Sequence, residues 1–115
     1  MLDLHGAREL ELFIMNDYDL YKSRYIPISK NLDRKIRKGI YQYSLSVKLF
    51  KYLVDDGCKK YQKEFGGPSR GFFLNPETRR LVARSLAMDF ATEYKNQNPD
   101  VEFEYEFDNQ LIPSE

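Results

Sequence analysis

Large apolar side chains recur every three or four residues over most of this chain, which is the spacing of one face of an α-helix. The first such segment runs from Ala7 to Asn16 and carries three of them: Leu10, Phe13 and Ile14. This pattern predicts a short first helix, and we expect Asp17 to begin a new element.

A second amphipathic pattern, with Lys and Arg opposite its apolar face, predicts a helix that ends at Gly39. Its apolar stripe consists of six large side chains: Tyr18, Tyr21, Tyr25, Ile28, Leu32 and Ile36. Pro27 falls inside this pattern. The helix is therefore expected either to kink at Pro27, or to end near Tyr25 and restart with Pro27 in its first turn.

A third helix is predicted from Ser44 to Phe65, with Ser44 as its N-cap and Gly66 as its C-terminal cap. Its apolar face is formed by Val47, Phe50, Val54, Cys58, Tyr61 and Phe65. Gly57 lies in the middle of this helix, where glycine costs about 1 kcal/mol relative to alanine. We therefore expect another helix to cross closely at Gly57, and we expect Cys58 to be a small core residue.

Residues 66–71 are rich in glycine and predict a turn, and residues 72–74 form an apolar stretch too short to assign. Asn75, Pro76 and Glu77 predict the start of a fourth helix. Asn caps free amides, Pro has no amide to satisfy, and Glu favours the positive end of the helix dipole. The apolar face of this helix is carried by Val82, Leu86, Phe90 and Tyr94, with Leu81, Ala83, Ala87 and Ala91 beside them.

After Asn98 and Pro99, which are expected to end the fourth helix, the pattern changes to a period of two. Apolar residues alternate with acidic ones: Val101, Phe103, Tyr105 and Phe107 with Glu102, Glu104, Glu106 and Asp108. Such alternation is typical of a half-buried strand. The predicted fold is thus mainly α, a compact bundle of about four helices in residues 1–98, followed by an acidic, β-like C-terminal tail strand in residues 99–115.

The composition agrees with one folded domain, because the chain has 115 residues, of which 42% are hydrophobic and 31% charged. Its formal net charge is zero, but the charge is distributed unevenly. Residues 22–38 hold seven bases and one acid, a net of +6, whereas residues 99–115 hold six acids and no base, a net of −6. A basic helix is therefore followed, much later in the chain, by an acidic tail.

The sequence contains no recognisable catalytic, metal or cofactor motif. One Cys and one His exclude an internal disulfide and a tetrahedral zinc site. His5 lies close to the terminus, where we expect a surface or capping role. Asp55 and Asp56 are adjacent on a helix, so their side chains diverge and are expected to be solvated. We expect no enzyme activity, no cofactor and no metal.

The expected location is the cytoplasm, without a membrane partner. No apolar run approaches the length of a membrane span, and residues 1–15 carry acids where a signal peptide needs bases. The lone Cys58 agrees with a reducing compartment.

Three stretches resemble a family of small uncharacterised proteins of bacteriophages and prophages: ELFIMNDYDLY, PISKNLDRKIRKGIY and VKLFKYLVDDGCKKYQKEFG. The resemblance covers Glu9 to Gly66, about half of the chain, and does not extend to the acidic tail. It implies a setting, a phage accessory gene that acts in the cytoplasm of a bacterial host, and it implies no activity or mechanism.

The first candidate binding surface is a basic set on the second helix: Lys30, Arg34, Lys35, Arg37 and Lys38. Clustered bases beside tyrosines are typical of surfaces that bind phosphates. The alternative is a solvated helix face that the acidic tail of the same chain partly neutralises. The balanced net charge of the chain favours this alternative.

The second candidate surface is the tail, because an isolated amphipathic strand needs a partner to satisfy its backbone and to cover its rings. That partner is expected in the helical core, in a second strand from residues 72–74 or from a homodimer, or in a foreign protein. The residues assigned to this surface are Glu102, Phe103, Glu104, Tyr105, Glu106 and Asp108. Their carboxylates repeat at about 6.6 to 6.8 Å along one strand face and could imitate a short row of phosphates.

The sequence thus predicts a non-enzymatic protein–protein interaction module that binds a host or phage protein and modulates a host factor or a defence complex. A nucleic-acid-binding accessory protein that uses residues 22–38 is the alternative. A minor structural component of a virion is the third interpretation.

Overall fold

The computed structural model describes residues 4–65 and 75–103 of the chain. Its helices are α1 (Leu4–Met15), α2 (Tyr18–Leu20), a π-helical segment (Tyr21–Tyr25), α3 (Ile26–Arg37), α4 (Tyr43–Phe65) and α5 (Pro76–Gln97). The backbone stays helical from α2 through the π-helical segment into α3, so these three pieces form one helical body. The predicted, mainly helical fold with four helical bodies is confirmed for this part of the chain.

The centre of the bundle is α4, which packs against α1, against α5 and against the helical body that ends in α3. Its residues Phe50, Leu53 and Val54 are fully buried. Leu53 is not part of the predicted apolar face. The predicted positions of α4 and α5 that are also buried are Cys58, Tyr61, Val82, Ala83, Leu86, Ala87, Phe90, Ala91 and Tyr94, whereas Val47 and Leu81 are half-buried. Phe65 was expected on the same face, but it is the last residue of α4 and is 56% exposed.

Gly57 marks the closest approach of α1 to α4. Gly57 is buried, and a Cβ atom built on it would fall 2.6 Å from Cγ1 and 2.8 Å from Cδ1 of Ile14. Carbon atoms pack at about 3.5 to 4.0 Å, so α1 could not lie this close to a larger residue. The predicted helix crossing at Gly57 is confirmed, and Cys58 beside it is a buried core residue as expected.

Three of the predicted helix boundaries are confirmed by their hydrogen bonds. Asp17 is the N-cap of α2, and its Oδ1 accepts the N–H of Leu20 at 2.9 Å. Asn75 caps α5 in the same way by accepting the N–H of Glu77 at 2.9 Å. The chain leaves α3 at Gly39, whose φ of +76° is favourable for glycine and strained for other residues.

The predicted N-cap of the third helix is wrong. The N–H of Ser46 donates to the carbonyl of Gln42 at 3.1 Å, so α4 already begins at Tyr43. Ser44 therefore lies inside the first turn, exposed to solvent, where it does not cap the helix. The C-terminal cap predicted at Gly66, the turn at residues 66–71 and the apolar stretch at residues 72–74 lie outside the described residues.

The helical body of residues 18–37 departs from the predicted apolar stripe in its first half. Its second half is buried as expected: Ile28, Leu32 and Ile36. Tyr18 and Tyr21, however, are 67% and 46% exposed, and Leu20 is buried instead. A π-helical turn takes about one residue more than an α-helical turn, so the face that meets α4 shifts along the sequence before α3. Pro27 then lies in the first turn of α3, as in the second expected arrangement, but the helix does not end near Tyr25: it continues through the π-helical segment.

None of the helices in the described ranges is both long and apolar enough to cross a membrane. After α5 the described chain ends in irregular structure at residues 101–103. The rest of the predicted tail strand lies outside the described residues.

Candidate functional site

A groove with a volume of about 600 Å³ runs between the helical body of residues 18–37 and α5. It exists because α3 and α5 each pack on α4 rather than extensively on each other. Leu53 of α4 and Phe90 of α5 line its buried floor. Met15 lines it at the end of α1, and Asn98 lines it just after α5. Ligand sites in proteins commonly have volumes of this size.

One wall of the groove contains the π-helical segment. The N–H of Ile26 donates to the carbonyl of Tyr21, five residues back. The wider turn suits the sequence, because in an α-helix Pro27 could not donate to the carbonyl of Ser23 and its ring would clash with it. Tyr21 and Tyr25 stack with their ring centroids 5.5 Å apart, and both line the groove. π-Helical turns occur frequently at functional sites.

A hydrogen bond joins the two walls. The hydroxyl of Tyr94 in α5 donates to Oδ1 of Asp33 in α3 at 2.6 Å, and Nε of Arg37 donates to the same oxygen at 3.0 Å. The hydrogen bond from Tyr94, reinforced by Arg37, holds the pKa of Asp33 below its ordinary value. Burial, together with the Asp33 carboxylate, raises the pKa of Tyr94, which therefore keeps its proton at neutral pH. This bond connects α3 to α5.

One carboxylate of α5, Glu93, lines the groove. Ser85, Asp89 and Glu93 are spaced by four residues and so share one face of α5. The Ser85 hydroxyl donates to Oε2 of Glu11 on α1 at 3.0 Å. Burial, with a contribution from Asp89, raises the pKa of Glu11, and burial together with the carboxylate of Glu93 raises the pKa of Tyr25. Of these three carboxylates, Glu93 lines the groove, whereas Asp89 and Glu11 lie outside its lining.

The predicted basic set lies along α3 and its C-terminal cap and does not form one site. Lys30 lines the groove, whereas Arg37 forms an ion pair with Asp33. Lys38 is the C-cap residue of α3. The two other members, Arg34 and Lys35, are exposed and half-buried respectively.

The described part of the tail packs on the bundle. Phe103 lies edge-on against Tyr41 and Tyr94, with ring centroids 5.3 Å and 5.6 Å away, and Val101 also packs on the core. Val101 and Phe103 therefore pack on the helical core, which is one of the expected partners of the tail. Glu102 between them is exposed. The other residues assigned to the tail surface lie outside the described ranges: Glu104, Tyr105, Glu106 and Asp108.

The sequence does not predict the groove. Tyr21 and Tyr25 are expected in the buried stripe, and Glu93 carries no motif that distinguishes it from a surface residue. Met15, which is 51% exposed, is equally inconspicuous in the sequence. The signal that points to the site is Pro27, because a proline inside a helical pattern requires an irregular turn.

Asp55, Asp56 and His5 do not line the groove. Asp56 pairs with Arg24, and Asp55 pairs with Arg79 at 3.3 Å. Both aspartates are half-buried, which corrects the expectation that they are solvated: basic side chains of neighbouring elements reach them. His5 is exposed on α1. Within residues 4–65 and 75–103, no group of three His, Cys, Asp or Glu side chains could hold a metal ion.

Comparison with known proteins does not place the chain in a family. No protein-family model, no curated protein and no solved structure matches it. These comparisons neither support nor contradict the resemblance to phage and prophage proteins.

Proposed function

We propose that the protein is a non-enzymatic interaction module whose groove holds a peptide segment of another protein. The observation that supports this proposal is the exposure of two large side chains that line the groove, Met15 and Tyr21, above a buried floor. Tyr and Met are enriched in protein interfaces. Tyr combines a large apolar area with a hydroxyl, and Met adapts its shape to different partners.

The walls of the groove are supported by rigid elements, which lowers the entropic cost of binding. The hydrogen bond from Tyr94 to Asp33 holds α3 relative to α5, and α4 lies beneath both. The proposed contact consists of a few anchoring side chains of a peptide that lies along the groove.

The setting of this proposal follows from the resemblance: a phage accessory protein that acts on a host factor or a defence complex in the bacterial cytoplasm. We also propose a second contact, in which the carboxylates of the tail imitate a row of phosphates. It is supported by the exposed Glu102 beside the packed Phe103, since such alternation leaves carboxylates on one face. Changing Glu102, Glu104 and Glu106 to Gln should abolish inhibition of the partner without unfolding the protein. Full inhibition by that variant would exclude the mimicry.

A nucleic-acid-binding accessory protein is the second candidate. It is favoured by Lys30, Arg34 and Lys38, which recur every four residues, are exposed and form no ion pair with the described residues. Binding should weaken steeply with salt and should vanish when Lys30, Arg34 and Lys35 are changed to Glu. Gel shifts that do not respond to these changes would remove this candidate.

Selection from a display library of random short peptides tests the groove directly. The wild-type protein should enrich peptides that share apolar anchors. Their affinity should fall about fivefold or more in Tyr21→Ala and in Met15→Ala, the loss expected when a contributing interface residue is truncated.

Tyr52→Ala is the matched control, because Tyr52 is a tyrosine of α4 that is 58% exposed and does not line the groove. Its affinity for the selected peptides should equal that of the wild type. Failure to enrich any peptide, or equal affinity of the wild type and Tyr21→Ala, would exclude the groove as the binding site.

A further inference from the structure

We propose that the acidic tail of this chain binds the outer side of α3, where its carboxylates pair with a row of three bases. These bases, which we call the basic stripe, are Lys30, Arg34 and Lys38. The occupant is the segment of residues 104–108, whose acids are Glu104, Glu106 and Asp108. This contact does not depend on a peptide in the groove. A partner that binds either the basic stripe or the tail must first displace it.

The basic stripe has positive charge available for an acidic segment. All three of its side chains are exposed, and none of them forms an ion pair with a described residue. The other bases of this region differ, because Arg37 is paired with Asp33 and Lys35 is half-buried. Like charges four residues apart on a helix repel each other. Carboxylates placed along the basic stripe therefore relieve this repulsion.

The described part of the chain ends beside one end of the basic stripe. After α5 the chain turns back, and Nζ of Lys95 donates to the carbonyl of Val101 at 2.8 Å. Phe103 then packs edge-on against Tyr41, with ring centroids 5.3 Å apart. Tyr41 follows Lys38 by only three residues. The next residues of the tail therefore start near the C-terminal end of α3.

The spacing of the acids matches the spacing of the bases. Bases four residues apart on an α-helix are separated by about 6 Å along the axis, which gives about 12 Å from Lys30 to Lys38. In an extended chain, acids two residues apart repeat at about 6.6 to 6.8 Å, which gives about 13 Å from Glu104 to Asp108. Because the tail starts near Lys38, it runs antiparallel to α3. This direction pairs Glu104 with Lys38, Glu106 with Arg34 and Asp108 with Lys30.

The connection to the same chain favours the tail over a separate polyanion. A segment on a short linker has an effective concentration on the order of millimolar at its site, so individually weak ion pairs are sufficient for binding. Pairs between exposed charges are screened by salt, since the Debye length falls from about 30 Å at 0.01 M to about 3 Å at 1 M ionic strength. The tail should therefore be bound at low salt and released at high salt. A nucleic acid that binds the basic stripe must compete with it.

Paramagnetic relaxation enhancement tests this contact in the full-length protein. A nitroxide is attached to the variant Asn109→Cys, whereas the buried Cys58 stays unlabelled. Amide signals are then recorded by two-dimensional NMR of isotope-labelled protein. At low salt the nitroxide should broaden the amides of residues 29–31 most strongly, because Asp108 lies beside Lys30 in the proposed pairing. In about 1 M salt these signals should recover.

Neutralisation of the basic stripe provides a second arm of the experiment. The broadening should disappear in the variant Lys30→Gln, Arg34→Gln, Lys38→Gln. The matched control is Lys48→Gln, Lys59→Gln, Lys63→Gln, which removes three exposed lysines of α4 and should retain the broadening. If the wild type at low salt is broadened most strongly elsewhere, or if its pattern survives neutralisation of the basic stripe, the inference is overturned.

A mixed sample distinguishes the tail of the same chain from the tail of a second copy. It combines nitroxide-labelled protein without isotopes and isotope-labelled protein without a nitroxide. The amides of α3 should remain sharp in this mixture, and their broadening would assign the contact to a second copy and overturn the inference. The groove is tested separately through the dependence of peptide binding on Tyr21. Failure of one proposal therefore leaves the other intact.

Discussion

Lys60 of α4 contacts both carboxylate oxygens of Asp17, with its Nζ 2.9 Å from Oδ1 and 2.8 Å from Oδ2. The same Oδ1 accepts the N–H of Leu20 as the cap of α2. Asp17 therefore starts the helical body that forms one wall of the groove and also ties it to α4. Burial acts to raise the pKa of Asp17, but the hydrogen bonds from Lys60 and from the N–H of Leu20 outweigh it and lower the pKa.

Substitutions of Asp17 should separate its two roles. Asp17→Asn keeps a good capping oxygen but loses the charge that Lys60 contacts, whereas Asp17→Ala loses both. In urea unfolding we expect Asp17→Ala to be less stable than Asp17→Asn by about 1 kcal/mol, a typical contribution of an N-cap. Equal stability of the two variants would show that the cap contributes nothing here.

The dependence of stability on pH should also report the contribution of the Asp17 charge. A carboxyl whose pKa is lower in the folded protein than in the unfolded chain, where it is about 3.9, stabilises the fold above that pH. The contribution is lost as the pH falls through the folded pKa. The Tm difference between the wild type and Asp17→Asn, followed by circular dichroism, should therefore shrink as the pH falls below about 4. A difference that stays constant in acid would contradict this.

The contribution of Glu11 to stability should depend on pH with the opposite sign to that of Asp17. Burial raises its pKa in the folded protein, so its contribution to stability is complete below the unfolded pKa and is lost as the pH rises through the folded pKa. At pH 7 the carboxylate is partly desolvated and lies near Asp89. Glu11→Gln, which can still accept the hydrogen bond from Ser85, should raise the Tm at pH 7 and should have little effect near pH 4. A lower Tm at pH 7 would mean that the charge strengthens the Ser85 hydrogen bond enough to outweigh the cost of burial.

Gly57→Ala should destabilise the protein although alanine is the better helix former. Overpacking against Ile14 costs typically 1–3 kcal/mol, and the gain in helix propensity is about 1 kcal/mol. We expect a net loss of about 1 kcal/mol in urea unfolding. In an Ile14→Ala background the side chain that the new methyl group meets is absent, so the same change should become stabilising. A double-mutant cycle without coupling would contradict the close packing of these two residues.

Tyr94→Phe removes the hydrogen bond that joins α3 to α5. Because the acceptor is a charged carboxylate, the expected loss of stability is about 1 to 2 kcal/mol. The affinity for groove-binding peptides should fall as well, since the separation of the two walls is no longer held. Tyr52→Phe is the control, and removal of its hydroxyl on the surface should change stability by less than about 0.5 kcal/mol. Similar results for the two variants would mean that the Asp33 contact does not stabilise the fold.

Much of the fold follows from local rules that the sequence displays. The helix starts at Asp17 and Asn75 and the stop at Gly39 need only the chemistry of one or two residues, so these boundaries are predicted correctly. The apolar faces of α4 and α5 are long and regular, and for that reason their core positions are also predicted. Ser44 fails as a cap because the hydrogen bond from the N–H of Ser46 to the carbonyl of Gln42 starts the helix before it.

The groove depends on relationships that no local pattern contains. The exposure of Tyr21 results from one extra residue in a helical turn, and a stripe counted at a constant period places that side chain in the core. The Asp33–Tyr94 hydrogen bond joins residues 61 positions apart. Charge patterning along the chain indicates the basic set of α3, whereas Glu93, the carboxylate of α5 that lines the groove, belongs to no pattern in the sequence.

The single thiol of the protein provides a way to follow the opening of its core. Cys58 is 1% exposed, and burial raises its pKa to about 11, so at pH 8 it is both hidden and protonated. In the unfolded chain a cysteine has a pKa of about 8.5 and reacts readily. A thiol-specific dye will therefore label those molecules in which α4 has separated from its neighbours, at a rate that measures the free energy of opening. A cysteine introduced at Tyr21 could then carry a fluorophore in the native protein without removal of Cys58.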